Sequence, residues 1–129
     1  ILSGLVGSEM CIRDSPQSKI RELLNRSKLL IHTSEYETFG LVAIEAHSVG
    51  VPVVSINQGS FKEIIDNNIN GYTAESFEDK DLNEFILKIF NDNQYADYVS
   101  KSAINSSKKY NWKDTSEKLN LLYQELKLR

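Results

Sequence analysis

Two glutamates eight positions apart carry the clearest chemical signal in this chain. Glu37 lies in a polar turn, and Glu45 follows in a segment where every other residue from Phe39 to Ala46 is glycine or apolar. A carboxylate buried in such surroundings without a partner costs several kcal/mol. We therefore expect Glu45 to face a crevice, a cation or hydrogen-bond donors.

The backbone between the two glutamates is suited to binding an anion. If a helix begins here, the amide N–H groups of Phe39, Gly40, Leu41 and Val42 have no intrahelical acceptors and lie at the positive end of the helix dipole. Phosphate groups bind at such termini. Gly40, which has no Cβ, would let a ligand approach the backbone closely. This segment, with the adjoining Thr38, is the candidate diphosphate site.

The spacing of the glutamates suits a nucleotide with a sugar attached. Glu45 would lie about 8–10 Å along the helix from the phosphate site, at ~1.5 Å per residue. That is roughly the distance from a diphosphate to its ribose, and a carboxylate can accept hydrogen bonds from both vicinal hydroxyls. Glu37, at the opposite end, is placed to bind hydroxyls of a sugar.

The surrounding pattern predicts the elements that position these residues. We predict a helix over 17–27, a buried strand over 29–31, a helix over 39–50 and a β-branched strand over 51–56. Strand, helix and strand with short connections form a βαβ unit with parallel strands. The fold class is therefore α/β, a partial doubly wound (Rossmann-like) parallel sheet of about three strands with flanking helices.

The rest of the chain predicts one more strand and a helical C-terminal end. We expect a short helix over 60–67, a strand over 71–74, and then a helix opened by a capping box of Ser76 and Asp79. Helices over 94–109 and 111–127 complete the chain. The predicted core-facing residues of these three helices are Leu82, Phe85, Ile86, Ile89, Phe90, Tyr95, Tyr98, Val99, Trp112, Leu119, Leu122, Tyr123 and Leu126.

Composition argues against several classes of protein. The 129 residues suffice for one domain, and the net charge of −3, with mixed lysines and acids, does not favour a nucleic-acid partner. The single cysteine, Cys11, excludes an internal disulfide, and no Cys/His cluster has the spacing of a zinc site. A reducing cytoplasm is the default compartment. No apolar run approaches the ~20 residues that span a bilayer.

The first fifteen residues differ from the rest of the chain. They hold the only Cys and the only Met but no Lys or Asn, and they have no periodicity. The stretch GLVGSEMCIRDS is similar to translated sequencing-adapter sequence. We expect 1–15 to be a non-native or disordered N-terminus and treat 16–129 as the structural unit.

The ensemble ETFGLVAIEA, PVV, E-I-I and NGY, with a final helix containing W…Y, resembles glycosyltransferase family 4 from about residue 18 to the end. The resemblance implies a fragment of a GT-B fold, the C-terminal portion of a donor-binding domain. The longer protein would be a retaining hexosyltransferase that moves a sugar from a nucleoside-diphosphate donor to a glycan or lipid-linked acceptor. Peripheral membrane contact would be compatible with such an acceptor.

The same resemblance implies roles for individual residues. Glu37 would be the catalytic glutamate that contacts and positions the donor sugar, the amides of residues 39–42 would bind the diphosphate, and Glu45 would bind the ribose. No metal or other cofactor would be required in the site, because the helix dipole and basic side chains stabilise the leaving diphosphate. The family's diphosphate-binding Arg and Lys lie upstream of this segment, so we expect the fragment alone to be inactive.

Several alternatives stay open. The alternatives to the transferase are a non-catalytic nucleotide-sugar-binding module and a GT-B epimerase or phosphorylase. Gly59, Ser60 and Glu63 are candidate loop contacts: Gly59 and the following amides form either a second anion nest or a plain turn. Gly59-Ser60 replaces the usual Gly pair. His32 and His47 have no carboxylate or nucleophile at a telling spacing, and we interpret both as structural histidines with satisfied hydrogen bonds.

Overall fold

The computed structural model describes residues 16–34 and 37–127, so the expectation for residues 1–15 lies outside the described residues. The predicted order of elements is confirmed, with bounds that differ by a few residues. In chain order the elements are α1 (Gln17–Asn25), β1 (Leu30–His32), α2 (Leu41–Ser48), β2 (Val53–Ile56), α3 (Phe61–Ile64), β3 (Gly71–Ala74), α4 (Lys80–Asn91), α5 (Asn93–Ser107) and α6 (Trp112–Lys127).

β2 is the central strand of a three-stranded parallel sheet with the order β1-β2-β3. Leu30 pairs with Val53 on one side, and Gly71 pairs with Val53 on the other. Within the described residues β1 therefore has one unpaired edge, and Ile31 at its centre is 52% exposed. Parallel strands bring the carboxyl ends of β1 and β2, and the loops that follow them, to the same edge of the sheet.

Consecutive residues of β2 separate the core into two layers, because side chains alternate between the faces of a strand. Val53 packs with residues of α1, α2 and α3 in one cluster. Val54 packs with residues of β3, α4 and α5 in the other. Helices thus cover both faces of the sheet, which is the doubly wound arrangement predicted from the apolar strands.

Two helix starts differ from the predictions. α2 is shorter than 39–50, because Gly40 and Gly50 both have positive φ (75° and 81°) and lie outside it. α4 is capped by Asp79, whose carboxylate accepts the N–H groups of Asp81 and Leu82 at 2.8 and 3.2 Å. Ser76, predicted as the cap, instead accepts a bond from Glu78 N–H at 3.3 Å within the preceding turn.

Part of the predicted core is wrong. Leu82, Phe85, Ile89 and Val99 are buried, but Phe90 and Tyr98 are 51% and 52% exposed. In the last helix no described residue is buried, and Trp112 is 88% exposed. The periodicity identified an apolar face, but the described residues do not cover that face. The other exposed members of the α6 stripe are Leu119, Leu122, Tyr123 and Leu126.

Candidate active site

The candidate site is built on the loop between β1 and α2. β1 ends at His32, and α2 begins at Leu41 after Gly40 in a left-handed conformation. Because the loop follows the carboxyl end of a parallel strand, it lies at the edge of the sheet where doubly wound folds bind ligands. The predicted sugar- and diphosphate-binding residues all belong to this loop or to the first turn of α2.

Glu37 is held by the amide groups of its own loop. Its Oε1 accepts N–H bonds from Thr38 at 3.0 Å, from Phe39 at 3.4 Å and from Gly40 at 3.1 Å. The hydrogen bond from Gly40 N–H is the largest of the effects that hold the pKa of Glu37 below its usual 4.5. Loss of hydration raises the pKa but is outweighed. The carboxylate is therefore ionised at neutral pH and oriented by the backbone, with Oε2 outside this set of three bonds.

This arrangement changes the assignment of the amides that we predicted to face a phosphate. The amides of Phe39 and Gly40 donate to Glu37, while Ala43 N–H donates to the carbonyl of Gly40 at 3.0 Å and so closes the first turn of α2. Leu41 and Val42 are the first two helical residues, and their N–H groups precede any intrahelical acceptor. A carboxylate thus lies where sequence reasoning placed an anion from a ligand.

Gly40 is required by packing as well as by its backbone conformation. A Cβ built there would lie 2.7 Å from Cδ1 of Ile64 and 2.8 Å from Oγ of Ser60, and φ is +75°. The space on its Cβ side is filled by residues of α3 and its N-terminal flank. That Gly40 lets a ligand approach the backbone closely stays a prediction.

The loop after β2 packs directly on the Glu37 loop. Gly59 has φ +52°, and a Cβ there would overlap the backbone carbonyl oxygen of Glu37. Phe61 N–H donates to Gln58 O at 3.2 Å, which favours the plain turn over the second anion nest. Ser60 Oγ is buried and has no hydrogen-bond partner among the described residues, whereas Glu63 is exposed. Gly59 and Ser60 therefore support the site loop, and Glu63 faces solvent.

His32 is a site residue that sequence reasoning missed. Its Nε2 lies 3.6 Å from Oε2 of Glu37, an ion pair when the imidazole is protonated. Its ring packs edge-on against Phe61, with centroids 4.7 Å apart. The interpretation as a structural histidine with satisfied hydrogen bonds is wrong for the bonds, since Nδ1 is buried with no partner among the described residues. A search for carboxylates just beyond the strand would have found this pair.

His47 is buried in the body of the fold and does not approach the site loop. Loss of hydration lowers its pKa from 6.5 to about 4, although a hydrogen bond with the backbone of Asn70 acts in the opposite direction. Its Nε2 also lacks a partner among the described residues. The structural interpretation fits this position, but the expectation of satisfied hydrogen bonds does not.

Glu45 lines a groove of about 490 Å³ between α1 and α2, as expected for a carboxylate that cannot lie in the core. The half-buried side chain shares this groove with Ser18 and Arg21 of α1 and with Ser48. Arg21 is a cation in the groove of the predicted ribose contact that sequence reasoning did not identify. Residues 37–42 do not line this groove.

A second groove, of about 460 Å³, opens on the other side of the first turn of α2. Its lining is mostly apolar and includes Phe39, Leu41 and Ile44 of the motif and Tyr110 and Trp112 next to and in α6. The side chains of Phe39 and Leu41 are both 60% exposed.

Across residues 16–34 and 37–127 no cluster of three or more His, Cys, Asp or Glu residues is arranged to hold a metal ion. Over the same residues, none of the helices combines the length and apolar character needed to cross a membrane.

Comparison with known proteins relates the chain to a family of glycosyltransferases. Residues 10–106 match the family model of glycosyl transferases group 1, and this match begins within the segment 1–15. The chain is 28% identical over 108 residues to an uncharacterized glycosyltransferase of Methanocaldococcus jannaschii, covering 84% of the chain and 31% of that protein. It is 26% identical over 129 residues to the D-inositol 3-phosphate glycosyltransferase of Corynebacterium jeikeium, covering 98% and 31%.

Solved structures of GT-B glycosyltransferases share the fold. HepE of Anabaena, in complex with UDP and glucose, superposes with a TM-score of 0.72 at 25% identity, over 82% of the chain and 29% of HepE. The chain spans less than a third of these relatives and of HepE. Because the family model matches well over half of the chain, the chain belongs to the glycosyl transferases group 1 family.

Proposed function

We propose that residues 16–129 are the C-terminal portion of the donor-binding domain of a retaining glycosyltransferase of family 4. The longer protein transfers a hexose from a nucleoside-diphosphate donor to a glycan or lipid-linked acceptor. The observation that carries this proposal is the ionised Glu37 carboxylate, which three backbone amides hold at the start of α2. The HepE structures in complex with UDP and with UDP-glucose support the choice of ligand.

Glu37 is the proposed contact to the donor sugar. Its Oε1 is occupied by the amides of Thr38, Phe39 and Gly40, so Oε2 is the oxygen that accepts hydrogen bonds from sugar hydroxyls. An ionised acceptor forms stronger hydrogen bonds than a neutral one. The carboxylate needs little reorganisation when the donor binds, because the loop backbone already orients it.

The first turn of α2 is the proposed diphosphate contact. The N–H groups of Leu41 and Val42 lie at the positive end of the helix, and the loop 38–40 brings them next to Glu37. One helix terminus contributes only ~0.3–2 kcal/mol to anion binding, so the negative Glu37 nearby requires further cations from the longer protein. In this proposal the site needs no metal or other cofactor.

Glu45 is the proposed ribose contact, in the groove between α1 and α2. Arg21 and Ser18 in the same groove offer a cation and a hydroxyl to the rest of the nucleotide. Gly59 and Ser60 keep the site loop in place, and Glu63, an exposed residue of α3, remains a candidate contact. The acceptor binds to a second domain of the longer protein. The longer protein acts in the cytoplasm, and peripheral contact with a membrane is compatible with a lipid-linked acceptor.

Donor binding by variants of the longer protein tests the proposal. Calorimetry with the nucleoside-diphosphate sugar is compared for the wild type, Glu45→Ala and Glu117→Gln, an exposed glutamate of α6 that serves as control. Loss of hydrogen bonds to a charged group costs about 1.5–3 kcal/mol, so Glu45→Ala should weaken donor binding roughly 10- to 100-fold. Equal affinity of Glu45→Ala and the wild type would overturn the ribose assignment.

Turnover separates the transferase from a binding module. We expect Glu37→Gln to lower kcat more than it changes donor affinity, and the product of the wild type to retain the anomeric configuration by NMR. Binding of the donor without transfer or hydrolysis would favour a non-catalytic module instead. For the 129-residue chain alone we expect no turnover and at most millimolar affinity, so micromolar binding would contradict the proposed dependence on upstream cations.

A further inference from the structure

We propose that His32 is a positioning residue that fixes the Glu37 carboxylate for the donor sugar. This inference rests on the proposed function, because it assigns a second residue to the sugar contact. It concerns a contact between β1 and the site loop that the sequence motif around Glu37 and Glu45 does not include. Three features of the structure carry it: the division of the two carboxylate oxygens, the packing of the imidazole and the orphaned nitrogen.

The two oxygens of Glu37 have different partners. Oε1 accepts the amides of Thr38, Phe39 and Gly40, whereas Oε2 lies 3.6 Å from Nε2 of His32. The three amides hold only Oε1, so by themselves they would leave Oε2 free to change its position relative to Oε1. A partner on Oε2 restrains that movement and so determines the direction in which Oε2 accepts a hydroxyl.

The imidazole cannot move far from this position. His32 is the last residue of β1, and its backbone is paired in register with Ser55 of the central strand. Its ring lies edge-on against Phe61, with an interplanar angle of 66°, and the side chain is 16% exposed. The rigid sheet and α3 therefore hold Nε2 on the Glu37 side.

The orphaned Nδ1 determines which nitrogen carries the proton of the neutral ring. Nδ1 is buried and has no hydrogen-bond partner among the described residues. A buried N–H without an acceptor costs about 1–3 kcal/mol, so the neutral imidazole keeps its hydrogen on Nε2, where the carboxylate is. In both protonation states His32 thus presents an N–H to Oε2, and the protonated state adds a charge.

The alternative is a purely structural ring that packs on Phe61. If packing were the whole role, phenylalanine at position 32 would replace histidine without effect on Glu37. Glutamine makes the opposite change, because it loses the ring but keeps an N–H donor at a similar reach. His32→Phe and His32→Gln therefore separate the packing of the ring from the contact of the nitrogen.

The first measurement uses the 129-residue chain without any donor. Carbon-13 NMR follows the side-chain carboxyl of Glu37 through a pH titration in the wild type, His32→Phe and His32→Gln. We expect His32→Phe to raise the pKa of Glu37 while the urea midpoint of unfolding stays equal or rises, since the orphaned Nδ1 is gone. His32→Gln should give a smaller rise. An unchanged Glu37 titration in a folded His32→Phe chain would overturn the inference.

The second measurement uses the longer protein with UDP and UDP-glucose as probes. UDP lacks the glucosyl group, so His32→Phe should leave UDP affinity unchanged and weaken UDP-glucose binding roughly 3- to 10-fold, as expected when one hydrogen bond from the glucosyl group to Glu37 is impaired. In a Glu37→Gln background the same substitution should have no further effect. Equal losses for both ligands, or an undiminished loss in the Glu37→Gln background, would overturn the inference.

The two measurements keep this inference distinct from the proposed function. A wild-type longer protein that binds no nucleoside diphosphate and no nucleoside-diphosphate sugar would contradict the proposed function, while the Glu37 titration would still decide whether His32 acts on the carboxylate. If His32→Phe does not fold, His32→Gln carries the test. A Glu37 titration midpoint in that variant equal to the wild-type one would then count against His32.

Discussion

The backbone of Gly59 touches the backbone carbonyl oxygen of Glu37 so closely that a Cβ at position 59 would overlap that oxygen. The loop after β2 therefore supports the loop after β1 at the residue that we propose as the sugar contact. Neither loop has regular secondary structure at this point, so the contact between them helps to determine where the Glu37 carboxylate lies. Parallel pairing of β1 and β2 makes the contact geometrically possible.

Gly59→Ala should destabilise the chain and displace the site loop. A left-handed backbone costs an L-residue about 1–2 kcal/mol, and the overlap with Glu37 adds to that cost. Urea unfolding measures the loss, and shifts of the Thr38 and Gly40 amide NMR signals report the displacement. Gly59→Asn is the matched control, because asparagine tolerates positive φ but keeps a Cβ. Full stability of Gly59→Asn would mean that backbone strain, and not the contact with Glu37, is the reason for glycine.

Acid should release the site loop in a single step. Glu37 has a lowered pKa in the folded chain, so the hydrogen bonds to its carboxylate are complete above the usual 4.5 and are lost as pH falls through the lowered value. We expect the amide protons of Thr38, Phe39 and Gly40 to titrate together with a midpoint below 4.5. The common titration should disappear in Glu37→Gln. A midpoint above 4.5 would contradict the three hydrogen bonds from loop amides to the Glu37 carboxylate.

His47 should make stability depend on pH in a second window. Its pKa falls from 6.5 to about 4 on folding, so the unfolded chain binds more protons between these values and the free energy of unfolding decreases as pH is lowered from 6.5 to 4. The decrease is at most on the order of 3 kcal/mol, at about 1.4 kcal/mol per pH unit. Urea unfolding at pH 7 and pH 4.5 should show a smaller decrease for His47→Leu. An identical decrease in that variant would show that carboxylates alone cause the effect.

Trp112 offers a direct check on the last helix. It is the only tryptophan of the chain and is 88% exposed. We expect its fluorescence emission to resemble that of free tryptophan, to be quenched readily by acrylamide and to change little when the 129-residue chain unfolds. A blue-shifted emission protected from acrylamide would mean that α6 packs against a surface and that our original prediction of a core position was right.

The glutamate motif and the βαβ unit were readable from local information. Apolar runs of β-branched residues identify buried strands, and Gly50 and Pro52 mark the boundary between α2 and β2. The position of Glu45 in a groove followed from the cost of burying its charge, since every other residue from Phe39 to Ala46 is glycine or apolar. The burial of Leu82, Phe85 and Ile89 likewise followed from helical periodicity and the presence of a sheet to receive that face.

Helical periodicity predicted burial wrongly where the residues that would cover an apolar face are not part of the local sequence pattern. Phe90 and Tyr98 lie at positions that look internal, yet both are about half exposed, and α6 buries none of its described residues. A hydrophobic stripe indicates which face of a helix is apolar, but only the packing of the elements decides whether another element covers that face.

The sequence by itself determined the two carboxylates, the helix start between them and the parallel sheet that carries them, because these depend on neighbours within a few residues or on the period of a strand or helix. The tertiary structure alone decided that Glu37 binds its own loop amides, that His32 meets its second oxygen, and that Arg21 shares the groove of Glu45. Those contacts depend on loop conformation and on how separate elements pack, and neither is encoded in the spacing of residues along the chain.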